Sequence, residues 1–240
     1  MSRILGLAKS GFGKSTGIGP TPELNIVGLD PKNTYVLSVT TKPLPFRNSD
    51  ALYKVTTWDN IRGGRRVTDS NPSHIEAALK ELAKAPSSAI KNVVLDDFNY
   101  LMQDWYMENA HKTGWEAPKK IGMDMGKIFK AIELFNGIDK NVIVLAHGED
   151  ITQPDGRIYT KMKTTGKMVD EYVTPEGKFD VVLVGRSSYD STTKKVIKQY
   201  LTNEDEFYMS AKSPYGMFDE PLVSNDLGSI VEKVEKYYKG

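Results

Sequence analysis

The stretch that most constrains this chain lies near its start, where residues 7–16 read Leu-Ala-Lys-Ser-Gly-Phe-Gly-Lys-Ser-Thr after a short apolar run. Gly11 and Gly13 let the backbone turn tightly, so that successive N–H groups can point at phosphate oxygens. In the Gly-x-x-x-x-Gly-Lys-Ser/Thr pattern the lysine contacts the β- and γ-phosphates and the next hydroxyl binds magnesium. Those positions are Lys14 and Ser15 here. The sequence therefore predicts a phosphate-binding loop between a strand and a helix.

One position departs from this pattern, because Ala8 stands where the pattern has glycine. A Gly/Ser-rich surface turn is the alternative, but the preceding strand, the Gly-x-Gly-Lys-Ser core and the following helix favour nucleotide binding. That helix must be short, since Gly17, Gly19, Pro20 and Pro22 all disfavour it. The candidate nucleotide-binding residues are Lys9, Ser10, Gly11, Phe12, Gly13, Lys14, Ser15 and Thr16.

Composition limits the classes of function. The 240 residues, 39% of them hydrophobic, are enough for one sizeable core, so we expect a single domain over residues 1–240. Lys and Arg number 32 against 31 Asp and Glu, so any nucleic-acid contact must be a local patch. The absence of cysteine excludes disulfides and thiolate zinc sites, and three scattered histidines make a poor metal site. Magnesium carried by a nucleotide is the only metal we expect.

The same composition predicts a cytoplasmic protein that does not enter a membrane. No apolar run approaches the roughly 18 residues that a membrane span needs, and Met-Ser-Arg does not begin a signal peptide.

Strands and helices alternate through the first two thirds of the chain. Strands are predicted at residues 34–40, 92–97 and 141–146, and helices from Asn71-Pro72, over 98–112 and after a loop at 114–122. Such alternation favours right-handed crossovers and a mainly parallel central sheet flanked by helices. Residues 46–70 are polar and are expected to be irregular, and their Arg-Gly-Gly-Arg-Arg run is either a phosphate contact or a solvated turn.

The sequence pattern in the last third of the chain predicts antiparallel strands instead. A turn at Pro154-Asp155-Gly156 separates two polar extended runs. Further strands are expected at 179–186, 194–202 and 207–211. Asn225-Asp226 should cap a closing amphipathic helix.

Two acids end the apolar strand at residues 92–97. Asp96 would lie at the carboxyl edge of the sheet, where open α/β sheets bind ligands, and is the natural magnesium ligand. Asp97 either orients the water that attacks the γ-phosphate or caps the next helix, and Glu149 is a reserve candidate for the first role.

His147 follows the next apolar strand, so it should also project toward the γ-phosphate. A neutral imidazole there would sense whether that phosphate is present, although a purely structural histidine is equally compatible with the sequence.

The motifs of this chain resemble those of the RecA-type ATPase core. The motifs that carry the resemblance are the phosphate loop, Val93-Val-Leu-Asp-Asp97, Val142-Ile-Val-Leu-Ala-His147 and Met209-Ser-Ala-Lys-Ser-Pro214. With Lys42-Pro-Leu-Pro-Phe46 and Ala211-Lys-Ser-Pro-Tyr-Gly-Met-Phe218, the likeness is closest to phage ATP-binding proteins of that group. Some of these bind or anneal single-stranded DNA during recombination. The resemblance implies a RecA-like fold, ATP and Mg²⁺ as cofactors, assembly into a ring or filament, and a location in the host cytoplasm.

The resemblance also implies particular DNA contacts. Lys163-Thr-Thr-Gly-Lys167 is similar to the Thr-Thr-Gly-Gly stretch of a DNA-binding loop, with lysine replacing the second glycine. The loop around Trp115 corresponds only in position to a second DNA loop. The implied DNA-binding residues are Arg157, Lys161, Lys163, Thr165 and Lys167.

Catalysis across subunits is a further implication. Lys212 matches a lysine that related ring and filament ATPases insert into a neighbour's site, although Pro214 stands where an arginine is common. The candidate catalytic residues are thus Lys14, Asp97, His147 and Lys212.

Two other classes remain open. Lys9 and the loop also resemble dimeric partitioning ATPases, in which that lysine contacts the partner's nucleotide. A nucleotide kinase is the third possibility, but the sequence has no arginine-rich lid for a second phosphate substrate.

Overall fold

The computed structural model of the chain describes residues 2–109, 111, 116–165 and 174–240, and only the backbone of residues 116–118. Trp115 and Lys167 therefore lie outside the described residues. Within the described part, no helix is long and apolar enough to cross a bilayer.

A mainly parallel sheet forms the centre of the described chain. Its strands are β1 (Arg3–Ala8), β2 (Thr34–Ser38), β3 (Val55–Thr56), β4 (Arg66–Thr68), β5 (Asn92–Asp96), β6 (Asn141–Thr152), β7 (Ile158–Met162), β8 (Val181–Asp190), β9 (Lys195–Leu201) and β10 (Leu222–Ser224). The order is β10-β9-β8-β1-β6-β5-β2-β4-β3, with β7 paired to β6. Neighbours from β8 to β3 are parallel, whereas β7, β9 and β10 pair antiparallel. The predicted α/β fold is confirmed.

Helices cover both faces of the sheet. They are α1 (Ser49–Leu52), α2 (Pro72–Lys84), α3 (Asn99–Asn109), α4 (Glu116–Glu133) and α5 (Leu227–Lys239). Alternate residues of the central strands pack against α2, α3 and α4 on one face and against α5 on the other. This two-sided burial explains why residues 4–8 of β1, 93–95 of β5 and 142–146 of β6 form uninterrupted runs without a polar side chain.

The closing helix α5 is tied to the start of the chain through its N-cap, as the sequence predicted. The buried Asp226 carboxylate accepts hydrogen bonds from the N–H groups of Gly228 and Ser229. It also accepts bonds from the N–H groups of Val27 and Gly28 at 3.0 and 2.9 Å. One carboxylate thereby satisfies donors from two distant segments and fixes α5 beside the phosphate loop.

Some boundaries differ from the predictions. β6 does not end at His147 but continues to Thr152, because its far half pairs with β7 in a hairpin. α4 begins at Glu116, inside the predicted loop, since Pro118 falls in the first turn of the helix, where proline is tolerated. Residues 207–211 form no strand and make only isolated bridges. β3, β4 and β10 were not predicted because each has only two or three residues.

The helix predicted after the phosphate loop is a five-residue 3₁₀ turn, Lys14–Ile18. Gly17 and Gly19 shorten it because glycine destabilises helices. Both positions need glycine, since added Cβ atoms would meet the Asn225 backbone at 2.8 Å and the Phe46 ring at 2.4 Å. A helix dipole therefore contributes little here, and phosphate binding must depend on the loop and its side chains.

Candidate nucleotide site

The candidate site lies where four parallel strands end side by side. Ala8 of β1 is in register with His147 of β6, and Ser38 of β2 is in register with Asp96 of β5. Because β6 lies between β1 and β5, the phosphate loop, the histidine and the acids meet at one carboxyl edge. This is the edge at which open α/β sheets bind ligands.

The loop adopts the tight conformation that its glycines predict. Gly11 and Gly13 have φ angles of 79° and 91°, in the left-handed region that favours glycine. The Gly13 carbonyl oxygen accepts bonds from the Thr16 N–H at 3.0 Å and from the Asn225 side-chain amide at 2.6 Å. On the other side, the Lys198 ammonium donates to the Gly11 carbonyl oxygen at 2.6 Å. The sequence did not indicate these two anchors, because they come from β9 and the α5 cap.

The alanine at the first motif position fits because a glycine faces it. Ala8 is buried, and a Cβ built on Gly185 of β8 would lie only 2.5 Å from the Ala8 Cβ. The added methyl group is thus offset by the missing side chain on the neighbouring strand. The departure from the motif does not disrupt the loop.

Lys14 is a buried cation that has no anionic partner in contact among the residues that the structure describes. It is 6% exposed, and its ammonium donates to the Ala8 carbonyl oxygen at 3.3 Å and lies 3.5 Å from His147 Nδ1. Burial lowers the pKa of Lys14, while Asp97 and Asp96 act in the opposite direction. A buried ammonium of this kind is suited to an anionic ligand, and the phosphates of a nucleotide fit that requirement.

Ser15 and Asp96 form the second part of the site. The Ser15 hydroxyl donates to Asp96 Oδ1 at 2.9 Å, as the magnesium prediction requires. Asp96 is 5% exposed, and burial raises its pKa to about 6, with a smaller contribution from Asp97. Among the described residues no three His, Asp or Glu side chains cluster as metal ligands. One hydroxyl and one carboxylate therefore fit a magnesium ion that takes its other ligands from phosphate and water.

Asp97 faces the site rather than the helix behind it. Its carboxylate accepts a hydrogen bond from the Thr40 hydroxyl at 3.0 Å, and its Oδ1 lies 3.9 Å from His147 Nε2. Asp97 also has φ 60°, a left-handed conformation that costs free energy in a residue other than glycine and is frequent at functional sites. Its side-chain contacts favour the site over the alternative role as a cap of α3.

His147 contacts both charged groups of the site. Its two ring nitrogens lie toward Lys14 and Asp97 respectively, and its ring packs edge-on against Tyr100. Burial lowers the pKa of His147, and the nearby Lys14 lowers it further. The imidazole is therefore neutral at pH 7 and can exchange hydrogen bonds with a bound ligand.

Asn99 is a residue of this region that the sequence analysis missed. Its side-chain oxygen accepts the His147 N–H, and its amide donates to the Lys163 carbonyl oxygen. The Lys163 N–H in turn donates to the His147 carbonyl oxygen at 2.8 Å. The sequence signal that could have identified Asn99 was its position two residues after Asp97. Its hydrogen-bond partners, His147 and Lys163, are 48 and 64 positions away and could not be read from the local sequence.

Other predicted residues lie around this centre. The Lys9 ammonium, 74% exposed, pairs with Asp150 of β6 at 2.9 Å. Glu149 is exposed on the β6–β7 hairpin opposite Lys161. Lys212 is exposed, and its backbone forms an isolated bridge to Val182 of β8. Val182 is in register with Leu5 of β1, three residues before Ala8 and the start of the phosphate loop. These positions do not bring Lys212 to the phosphate loop of its own chain.

The predicted DNA-binding residues lie along the hairpin and just beyond it. Arg157 pairs with Asp155 at 2.7 Å near the hairpin turn. Lys161 belongs to β7, and Lys163 is exposed just after it. Thr165 is partly buried. The structure brings this segment next to the candidate nucleotide site through Asn99.

No protein-family model and no curated protein matches the sequence. Among solved structures, it is similar to the KaiC-like protein PH0186 from the hyperthermophilic archaeon Pyrococcus horikoshii OT3. The identity is 14%, the match covers 83% of this chain and 77% of the other, and the TM-score is 0.45. A likeness at this level decides no activity, so the function proposed below rests on the geometry of the site.

The raised pKa of Asp96 gives a pH-dependent stability. In the unfolded chain the carboxyl returns toward its ordinary pKa of 3.8, whereas the folded value is about 6. The folded state therefore binds more protons between these values, so the free energy of unfolding should fall as pH rises from about 4 to about 6. The change is at most about 3 kcal/mol. Urea unfolding of the nucleotide-free protein across this range measures it.

Asp96→Asn should remove this decrease, because the amide does not titrate. Asp219→Asn, which changes an exposed acid with no role in the candidate site, is the matched control and should keep the wild-type slope. Equal slopes in the wild type and Asp96→Asn would contradict the assignment of the raised pKa to Asp96.

Proposed function

We propose that the chain is a magnesium-dependent ATPase of the RecA type. The observation that carries this proposal is the buried Lys14 ammonium beside the Ser15–Asp96 hydrogen bond, at the end of β1 and β5. A buried cation without an anionic contact requires an anion, and the serine–aspartate pair provides the hard oxygen ligands that magnesium prefers. Together they match the needs of a nucleotide triphosphate bound with its metal.

Each residue then has a defined role. Lys14 binds the β- and γ-phosphates, while Ser15 and Asp96 hold magnesium, which supplies neutralisation of phosphate charge. Asp97 orients the attacking water, and its hydrogen bond from Thr40 fixes the carboxylate for that task. His147, placed between Lys14 and Asp97, responds to the γ-phosphate through its neutral ring.

Binding of single-stranded DNA is the finer part of the proposal. Its support is the direct backbone link between His147 and Lys163, reinforced by Asn99. If a change at the γ-phosphate moves His147, the hydrogen bond from the Lys163 N–H to the His147 carbonyl oxygen would pass that movement directly to Lys163 in the segment 157–167. This arrangement provides a route from nucleotide state to DNA affinity in recombination, annealing or replication of phage DNA in a host cytoplasm.

Self-association is proposed because Lys212 is exposed and lies away from its own loop. In a ring or filament it would complete the site of a neighbouring copy. The two alternatives gain less support. In a partitioning-type dimer Lys9 would reach a partner's nucleotide, whereas here it pairs with Asp150 of its own chain. No observation in the structure favours a nucleotide kinase.

The first test is hydrolysis by Lys14→Ala. The backbone cradle remains, but the γ-phosphate loses its main cation, so phosphate release should be abolished while some nucleotide binding survives. Colorimetric phosphate release from purified protein measures the effect. Lys195→Ala, which removes an exposed lysine of β9, should retain full activity. Wild-type release by Lys14→Ala, or no release by the wild type, would exclude the proposed ATPase.

The second test addresses catalysis in trans. Lys212→Ala should bind ATP almost normally and lose hydrolysis by on the order of 1000-fold, as expected for a cation that stabilises the transition state of a neighbour. Mixing Lys212→Ala with Lys14→Ala should restore partial activity, because some interfaces then pair an intact Lys14 with an intact Lys212. Absence of recovery at every mixing ratio would contradict action across subunits.

The third test concerns DNA. If Arg157, Lys161, Lys163 and Lys167 all reach phosphates, the log–log salt slope of single-strand binding should be about −3 per protomer. Lys163→Ala/Lys167→Ala should make the slope shallower by about 1.4. Fluorescence anisotropy of a labelled oligonucleotide with an ATP analogue, over a salt series, provides the measurement.

The matched control for this charge change is Lys233→Ala/Lys236→Ala on α5, whose Glu235 contacts Asn141 at the end of β6 remote from the hairpin. It removes two positive charges as well and should leave affinity and slope unchanged. If both double variants behave alike, the segment 157–167 is not the DNA site.

A further inference from the structure

A large groove lies at the opposite edge of the sheet from the phosphate loop. Its volume is about 1180 Å³. One wall is formed by the segment between α1 and β4, and the other by the second half of α2 and the turn that leads to β5. This volume slightly exceeds the roughly 300–1,000 Å³ of typical small-molecule sites. None of the residues assigned to nucleotide binding lines it.

The groove contains a buried polar group without a partner. Tyr35 forms part of its lining and is 1% exposed, and the Tyr35 hydroxyl has no hydrogen-bond partner among the described residues. Burial raises the pKa of Tyr35, and the charge of Arg65, which also lines the groove, opposes that shift. An unsatisfied buried hydroxyl costs about 1–3 kcal/mol, and a bound acceptor would remove that cost.

Basic side chains line the same groove as this hydroxyl. Lys84 on the opposite wall is paired with Glu81 at 3.0 Å. The Arg62 side chain has no hydrogen-bond or ion-pair partner within the described ranges, and the one bond of the Arg65 guanidinium is to the Ala89 carbonyl oxygen at 3.5 Å. Two guanidinium groups without carboxylate partners in one groove suit a phosphate, which accepts paired N–H bonds.

An aromatic side chain completes the lining. Trp58 is 37% exposed and stacks on His74 with ring centroids 4.2 Å apart and an interplanar angle of 14°. That stacking holds the indole as a rigid part of the wall. Aromatic and cationic groups around one polar anchor are the elements that recognise a phosphorylated ring compound.

We propose that this groove is a second ligand site, which binds a small phosphorylated molecule with an aromatic ring, of the mononucleotide class. Its phosphate contacts Arg62 and Arg65, its ring packs against Trp58, and an acceptor atom binds the Tyr35 hydroxyl. The site is separate from the phosphate loop and does not depend on hydrolysis.

Calorimetric titration of AMP into the full chain carrying Lys14→Ala tests the site, because that change weakens the phosphate loop as a competing phosphate site. In that background Arg65→Gln should weaken AMP binding about tenfold or more, since a charge-assisted contact is lost. Tyr35→Phe should weaken it about fivefold through the loss of one hydrogen bond. Inorganic phosphate, which lacks the ring, should bind more weakly than AMP.

Tyr200→Phe is the matched control. Its hydroxyl is also buried and unpartnered in the described chain, but Tyr200 does not line the groove, so AMP affinity should stay unchanged. Thermal unfolding without ligand should show Tyr35→Phe at least as stable as its parent, because an unsatisfied hydroxyl has been removed. Undetectable AMP binding, or the same Kd in Arg65→Gln, Tyr35→Phe and Tyr200→Phe, would overturn the proposal.

Discussion

The buried charge of Lys14 is the constraint on which the rest of this site depends. An ammonium that is 6% exposed and has no carboxylate contact within the described residues is costly, and the charges of Asp97 and Asp96 reduce that cost. The same proximity acts on those acids: Lys14 favours ionised Asp96, while burial and Asp97 oppose it. Bound phosphate would stabilise the Lys14 ammonium, and bound magnesium would stabilise the ionised form of Asp96.

The position of β6 connects the charged groups around Lys14 to a more distant part of the chain. Because β6 lies between β1 and β5, His147 is held between the lysine of one strand and the acid of the other. The same strand then continues to Thr152 and pairs with β7. His147 and the β6–β7 hairpin therefore belong to one continuous strand.

The sequence was sufficient for the parts that depend on local pattern. The apolar strands, the helix that begins at Asn71-Pro72 and the cap at Asp226 were all predicted, since each follows from periodicity or capping chemistry. The motif pointed to Ser15 and the acid-ended strand to Asp96, but not to the hydrogen bond between them. What the sequence missed depends on distant partners. The hydrogen-bond partners of three side chains are 48 to 212 positions away in the sequence, namely those of Asn99, Asn225 and Lys198. Short strands such as β4 depend on pairing with a neighbouring strand, here β2.

The Arg-Gly-Gly-Arg-Arg run shows why composition alone left two readings open. Strand alternation sends consecutive residues to opposite faces of the sheet. Arg66 is buried, donates to the Ser38 hydroxyl at 3.1 Å and contributes positive potential at Asp96. Arg65, its neighbour, instead lines the groove beside Tyr35. Adjacent arginines of one run therefore belong to two different features: Arg66 acts on Asp96 at the candidate nucleotide site, and Arg65 lines the groove.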